Sequence, residues 1–192
     1  LPPTLSSIPV QTVHLTLLCH ARTNAQRTGH FGHDEDDLLP GLERLPRTCQ
    51  PVLCAPELRT RQTAAWVSDV PEIDPLLRDV NLGRWQGLSL KQVQHDEPQA
   101  LARWTSDPDS VVHGGESIGG LCQRVAYWLQ TRSTIPGNCL AVTHPFVIRA
   151  ALMHVLGSSP ASLHRMDVLP CASVHLVHTG QWRLRLIQNA SL

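Results

Sequence analysis

The stretch VHLTLLCHARTNAQRTGHF, residues 13–31, changes character at a single point. Val13 to Cys19 is apolar and of strand length, and from His20 onward the chain turns polar and glycine-containing. That shift reads as a buried parallel strand feeding a loop at its carboxyl end. Residues 33–41 (HDEDDLLPG) continue as an acidic turn. Pro51 to Ala55 is a second short apolar run, followed by good helix formers from Glu57 to Val67. Two strand-then-helix units in succession predict an α/β domain.

The same reading extends outward. Ser89–Val93 and Pro98–Trp104 are short helix candidates, broken by Asp107, Pro108 and Asp109. Ser117 caps a longer helix with Ile118, Leu121, Cys122, Val125 and Leu129 at helical spacing. Asn138 to His144 is another strand run, and Pro145 to Leu156 is apolar almost all round, a buried helix stopped by Gly157. Ser159-Pro160 forms a cap and first-turn pair. Ser173 to Ile187 alternates with period two about Thr179-Gly180, so a terminal β-hairpin is expected. Residues 1–11 read as an irregular lead-in, and 1–192 as one domain: a three-layer α/β/α sandwich on a mostly parallel sheet.

Composition narrows the function classes. With 42% hydrophobic and 17% charged residues the chain is expected to fold. Sixteen basic and 16 acidic residues cancel, leaving no electrostatic footprint for nucleic acid or an anionic membrane. No apolar run has the length of a membrane span, and LPPTLSSIPVQ lacks the charged-then-apolar pattern of a signal peptide. The six cysteines, several inside apolar runs, are expected to be buried reduced thiols of a cytoplasmic protein. Cys49 and Cys54 have no second pair at zinc-site spacing.

Two histidines occupy equivalent places: His20 follows the first strand run and His144 the fourth. Strand carboxyl ends line the ligand crevice of such a sheet. Arg59 lies in the first turns of the helix after the second strand, near the same edge. Two imidazoles and a guanidinium suit a phosphoryl group, which an imidazole can attack and a guanidinium can clamp.

Five stretches in order carry a resemblance to a known family. LLCHARTNAQRTGHF resembles a strand followed by Arg-His-Gly-Glu-Thr, an asparagine and Gly-Arg-Phe. VLCAPELRTRQTA resembles Ser-Pro-Leu-x-Arg-x-x-Gln-Thr-Ala. LLRDVNLGRWQGLS resembles Leu-x-Glu-x-x-x-Gly-x-Trp-x-Gly, HGGES matches Gly-Gly-Glu-Ser, and LAVTHPFVIRAALMHVLG resembles Val-Ser-His-Gly-x-x-Ile-Arg. The chain thus resembles the histidine phosphatase superfamily, phosphoglycerate-mutase-like in fold. Within it, the likeness is to compact members such as α-ribazole phosphatase and small broad-specificity phosphatases. The resemblance implies His20 as a nucleophile forming phosphohistidine, Arg59 as phosphoryl ligand, His144 as second histidine, Asp79 as proton donor and Gln26 as a phosphate contact. It implies a small phosphorylated substrate and neither metal nor cofactor.

The departures carry their own expectations. Cys19 stands where the family has arginine; a lost cation in the phosphate pocket is worth about 3 kcal/mol, roughly two orders of magnitude in rate. Arg22, where glutamate is common, is a candidate to restore that charge. Ala21 replaces glycine, at about 1 kcal/mol if positive φ is required. Asp79 is shorter than glutamate by about 1.3 Å, and Pro145 suits a helix first turn. Two other classes compete: a catalytically weak or silent member binding a phosphorylated ligand or protein partner, and a metal-binding regulator built on His30, His33 and Asp34–Asp37. His175 and His178 are expected to be exposed strand residues, Arg61 a surface charge and Trp85 a packing residue beside the site.

Overall fold

The computed structural model describes residues 11–187; the expected lead-in lies almost wholly outside them. Strand β1 (Val13–Cys19) is joined by α1 (Asn24–Thr28) and a long loop to β2 (Val52–Cys54), then α2 (Leu58–Val67) and β3 (Glu72–Ile73). Helices α3 (Leu90–Asp96), α4 (Pro98–Ser106) and α5 (Ile118–Arg132) precede β4 (Gly137–Thr143) and α6 (Pro145–Leu156). A 3-10 turn at Pro160–Arg165 leads to β5 (Ser173–His178) and β6 (Trp182–Arg185). The six strands run in the order β3-β2-β4-β1-β5-β6. The first four are mutually parallel, and β5 and β6 extend the sheet antiparallel, as the expected hairpin.

Alternation along β1 decides what covers each face. Leu15, Leu17 and Cys19 join the larger core beneath α5 and α6, with Ile118, Leu121, Trp128 and Ile148. Leu18 points the other way, to Val52, Cys54, Val142 and the α2 residues Ala64 and Val67. Helices on both faces of a mostly parallel sheet make the three layers anticipated. Ser117 caps α5 by accepting from the Gly120 amide, and α6 begins at Pro145 and ends in Gly157 at φ 63°. The hairpin is tied down where the Trp182 indole donates to the Leu129 carbonyl at 3.1 Å.

Three expectations need correction. The thiols are free, but only Cys19, Cys54 and Cys139 are buried; Cys49 is exposed, and Cys122 and Cys171 lie between. His175 and His178 are half-buried rather than exposed: Thr16 on β1, opposite His175, brings its hydroxyl within 3.1 Å of that imidazole's Nδ1, and the His178 ring packs on Trp182 at 5.1 Å between centroids. Ala21 carries no backbone strain, since Cys171 is the one non-glycine residue with positive φ among those described.

Leu17 is fully buried at the centre of the sheet. Leu17→Ala is expected to lower unfolding free energy by about 3 kcal/mol, from lost transfer energy and the cavity left behind. Urea denaturation measures this, and a loss below about 1 kcal/mol contradicts the packing described.

Candidate active site

The parallel ladder pairs Cys19 with Thr143, so the residues that follow, His20 and His144, leave adjacent strands side by side. The His20 amide donates to the Thr143 carbonyl at 3.0 Å. The two rings meet edge to face with centroids 5.3 Å apart. Both side chains are buried, His20 at 2% and His144 at 0% exposure.

His20 Nδ1 lies 2.8 Å from the Ala21 carbonyl. A carbonyl only accepts, so Nδ1 carries the proton and Nε2 keeps its lone pair. Burial, then the charges of His144 and Arg59, lower the His20 pKa from its ordinary 6.5 to about 3. A neutral imidazole with a free Nε2 is the nucleophilic form.

His144 is fixed from its other side. Its Nε2 is 2.8 Å from Glu57 Oε2. Its Nδ1 lies 3.4 Å from Asp79 Oδ2, but the alignment makes no hydrogen bond and leaves Nδ1 buried without a partner. Glu57 also accepts from the Asp79 amide at 2.9 Å, coupling the two carboxylate segments.

Arg59, 3% exposed, stands at the start of α2. It donates to Asp79 Oδ2 at 2.8 Å and to the His33 carbonyl at 2.7 Å. Burial works against the charges of Asp79 and Glu57, yet both carboxyls are held below their ordinary range. His144, Arg59 and His20 outweigh burial for Asp79. For Glu57 it is the hydrogen bond and charge of His144. Despite its shorter side chain, Asp79 reaches Arg59.

The segment carrying Asp79 is held from behind. Arg124 on α5 forms paired 2.8 Å bonds to both Glu116 oxygens and donates to the carbonyls of Leu76 and Arg78 at 2.7 and 3.0 Å. The glycines of GRWQG and HGGES meet backbone to backbone: a Cβ on Gly115 would lie 2.0 Å from the Asn81 carbonyl, and one on Gly83 2.2 Å from that of His113. Trp85 is buried among Phe31, Trp104 and His113, and its indole donates to Glu97 at 3.2 Å.

A cavity of about 340 Å³ opens beside Arg59 and Asp79, edged by Asp34, Glu35, Arg78, Asn81 and Gln86. Two anticipated residues stand apart from the cluster. Gln26 serves the capping box of α1, its Oε1 accepting from the Thr23 amide at 3.1 Å. Arg22 is exposed and makes no side-chain bond among the described residues. Arg61 is exposed, as expected. In the acidic loop His33 pairs with Asp36 at 3.0 Å and Asp37 accepts from Gln62 at 2.8 Å. No group of three His, Cys, Asp or Glu able to hold a metal occurs among the described residues. Glu57 escaped the sequence reading. Its signal was an acid in an otherwise apolar slot, two residues before Arg59.

Facing imidazoles, a buried guanidinium and a carboxylate at the carboxyl edge of a parallel sheet define an anion site of the kind phosphoryl chemistry uses. The chain belongs to the histidine phosphatase superfamily (branch 1), whose pattern matches residues 15–190. It is 44% identical over 48 residues to glucosyl-3-phosphoglycerate phosphatase of Mycobacterium tuberculosis, 25% of this chain and 22% of that protein. It is 29% identical over 124 residues to adenosylcobalamin/alpha-ribazole phosphatase of Salmonella typhimurium, 61% of each chain. The matched stretches thus span less than two thirds of these relatives. In fold it is similar to the mycobacterial glucosyl-3-phosphoglycerate phosphatase structure: TM-score 0.75 and 20% identity over 91% of this chain and 97% of that one. Among the described residues no helix is long and apolar enough to cross a membrane.

The low His20 pKa makes acid stability a test of the site. Between pH 6.5 and about 3 the unfolded chain binds a proton that native His20 refuses, so stability falls as pH falls. Glu57 and Asp79, held low, act with the same sign at more acid pH. Each pH unit below 6.5 is worth about 1.4 kcal/mol, so from pH 7 to 5 wild type is expected to lose about 2 kcal/mol more than His20→Gln. Urea melts at both pH values measure this, and parallel losses show that native His20 takes up its proton.

Proposed function

We propose that this chain is a phosphomonoester hydrolase working through a phosphohistidine on His20, with a small phosphorylated metabolite as substrate. The observation that carries the reading is a neutral, buried His20, its Nδ1 held by the Ala21 carbonyl and its ring edge to face with His144, whose Nδ1 has no partner.

An incoming phosphoryl group competes with Asp79 for the Arg59 guanidinium. His144, its Nε2–H on Glu57, donates from Nδ1 to a second phosphoryl oxygen as the imidazolium, with the second proton taken up beside the dianion. With Arg59 drawn away and a dianion alongside, the Asp79 carboxylate loses what held it ionised and takes a proton. His20 Nε2 then attacks phosphorus, the P–O ester bond breaks, and Asp79 delivers its proton to the leaving oxygen. In the second half Asp79 accepts a proton from water, whose oxygen attacks phosphorus, the P–N bond breaks and inorganic phosphate departs. These residues supply nucleophile, cation and acid, so the cycle needs neither metal nor cofactor.

The cavity beside Asp79, polar along Asp34, Glu35, Arg78, Asn81 and Gln86, suits a hydroxyl-bearing leaving group. The names of relatives, glucosyl-3-phosphoglycerate, phosphoserine and alpha-ribazole phosphatases, support a metabolite-sized phosphate ester. Six unbridged thiols support a reducing compartment, the cytoplasm, and balanced charge supports no nucleic-acid partner. A second reading, a silent member that binds a phosphorylated ligand, rests on Cys19, fully buried and without charge where the family carries arginine.

Hydrolysis of an aryl phosphate in chelator, with labelling of the protein stopped in alkaline detergent, decides between them. Wild type is expected to turn over and carry base-stable label, and His20→Ala to do neither. Folded wild type that binds phosphate without turnover establishes the silent reading instead. Separately, Arg124→Met is expected to lower kcat about tenfold or more with little change in KM, because it loosens Asp79 rather than the phosphate ligands. An unchanged kcat removes that positioning role.

A further inference from the structure

Glu57 turns its carboxylate to His144 rather than to its own helix. It is the N-cap residue of α2, yet its side chain makes no capping bond. The register of β2 on β4 explains the reach. The Ala55 amide donates to the Val142 carbonyl at 3.0 Å, so the chain leaving β2 passes beside the residue that follows Thr143. Glu57 Oε2 lies 2.8 Å from His144 Nε2, and Oε1 accepts from the Asp79 amide at 2.9 Å. Both side chains are buried, at 6% and 0% exposure. The family motif Ser-Pro-Leu-x-Arg carries leucine at this position, so the carboxylate belongs to this chain and not to the motif.

A carboxylate only accepts, so the proton between Glu57 and His144 sits on Nε2. A neutral His144 then presents a bare lone pair at Nδ1. That atom is buried without a partner, 3.4 Å from Asp79 Oδ2. The other groups facing the ring are His20, 5.3 Å away between centroids, and Arg59 through its bond to Asp79. A lone pair repels a carboxylate and a phosphoryl oxygen alike, whereas a second proton makes Nδ1 a charged donor. We infer that Glu57 is a positioning residue that obliges His144 to meet the phosphoryl group as a cation, an inference that rests on the phosphatase reading of the site. Pinning the first proton on Nε2 removes the tautomer with Nδ1–H, the one form that could donate without charge. The buried carboxylate at 2.8 Å then favours the second proton. The imidazolium thus brings a positive charge to a chain whose Cys19 carries none where the family has arginine.

Two variants test this. Glu57→Gln keeps the size and can donate its amide to Nε2, which moves the His144 proton to Nδ1. Glu57→Leu carries the residue of the motif. Calorimetry of inorganic phosphate, in alkaline buffers of differing ionisation enthalpy, counts the protons taken up on binding, with circular dichroism as the check on folding. Wild type is expected to take up about one proton more than either variant. It is also expected to bind phosphate about tenfold more tightly than Glu57→Gln, the difference between a charged and a neutral donor. Asp79 titrates in all three proteins, so the count is repeated with Asp79→Asn added, where the same difference is expected. Equal proton counts in wild type and a folded variant, or a difference that vanishes with Asp79→Asn, overturn the inference and leave the phosphatase reading standing. Weaker binding at an equal count belongs to that outcome, since lost packing moves affinity and not protons. A folded wild type that neither binds phosphate nor hydrolyses an aryl phosphate overturns both.

Discussion

The ladder between β1 and β4, in register at Cys19 and Thr143, is the constraint from which the site follows. Parallel strands end at the same edge of a sheet, and these two end on the same residue pair, so His20 and His144 emerge as neighbours without either loop having to bend toward the other. A shift of one residue would separate the rings and turn every side chain of β1 to the wrong face. The buried Leu15 and Leu17 resist that slip on one face and Leu18 on the other. The geometry of the histidine pair and the core packing are therefore specified by the same strand.

Around the two imidazoles the charges close on themselves. Arg59 with Asp79, and His144 with Glu57, give each buried cation or proton donor an acid at hydrogen-bond distance. An isolated ion in such surroundings is costly, while a paired and hydrogen-bonded one persists. The pairs are also rigid: Asp79 is held by its own amide on Glu57, by Arg124 behind it, and by a close backbone approach at Gly115 that admits no side chain. Orientation of this kind keeps reacting groups near their working geometry without reorganisation during the reaction.

Most of the architecture was legible because its signals are local. The apolar run ending in His20, the all-apolar helix closed by Gly157 and the alternation of the terminal hairpin each declare themselves within a dozen residues. His144 and Arg59 were legible for the same reason, standing where strands give way to helices. What escaped depends on contacts distant in sequence. Glu57 sits in an apolar slot of its motif, and nothing local says that β2 lies next to β4 and so brings it to His144. Arg22 misled in the opposite sense, since nearness to His20 in sequence says nothing of a side chain directed outward. Half-burial of His175 likewise depends on its antiparallel partner, Thr16.

If Arg59 is the phosphate ligand proposed above, its ion pair with Asp79 makes the site its own competitive inhibitor. Any phosphate that enters must part the two groups, and any phosphate that leaves is replaced at once by the carboxylate. Substrate and product face this competition equally, so it weakens retention of both and favours clearance of the product. Because the displaced carboxylate takes up a proton, occupancy by phosphate is thermodynamically linked to acidity. The site then fills more readily as the medium becomes acidic, until His20 or the phosphate itself is protonated. In that reading the salt bridge, rather than a moving lid, sets how readily phosphate leaves.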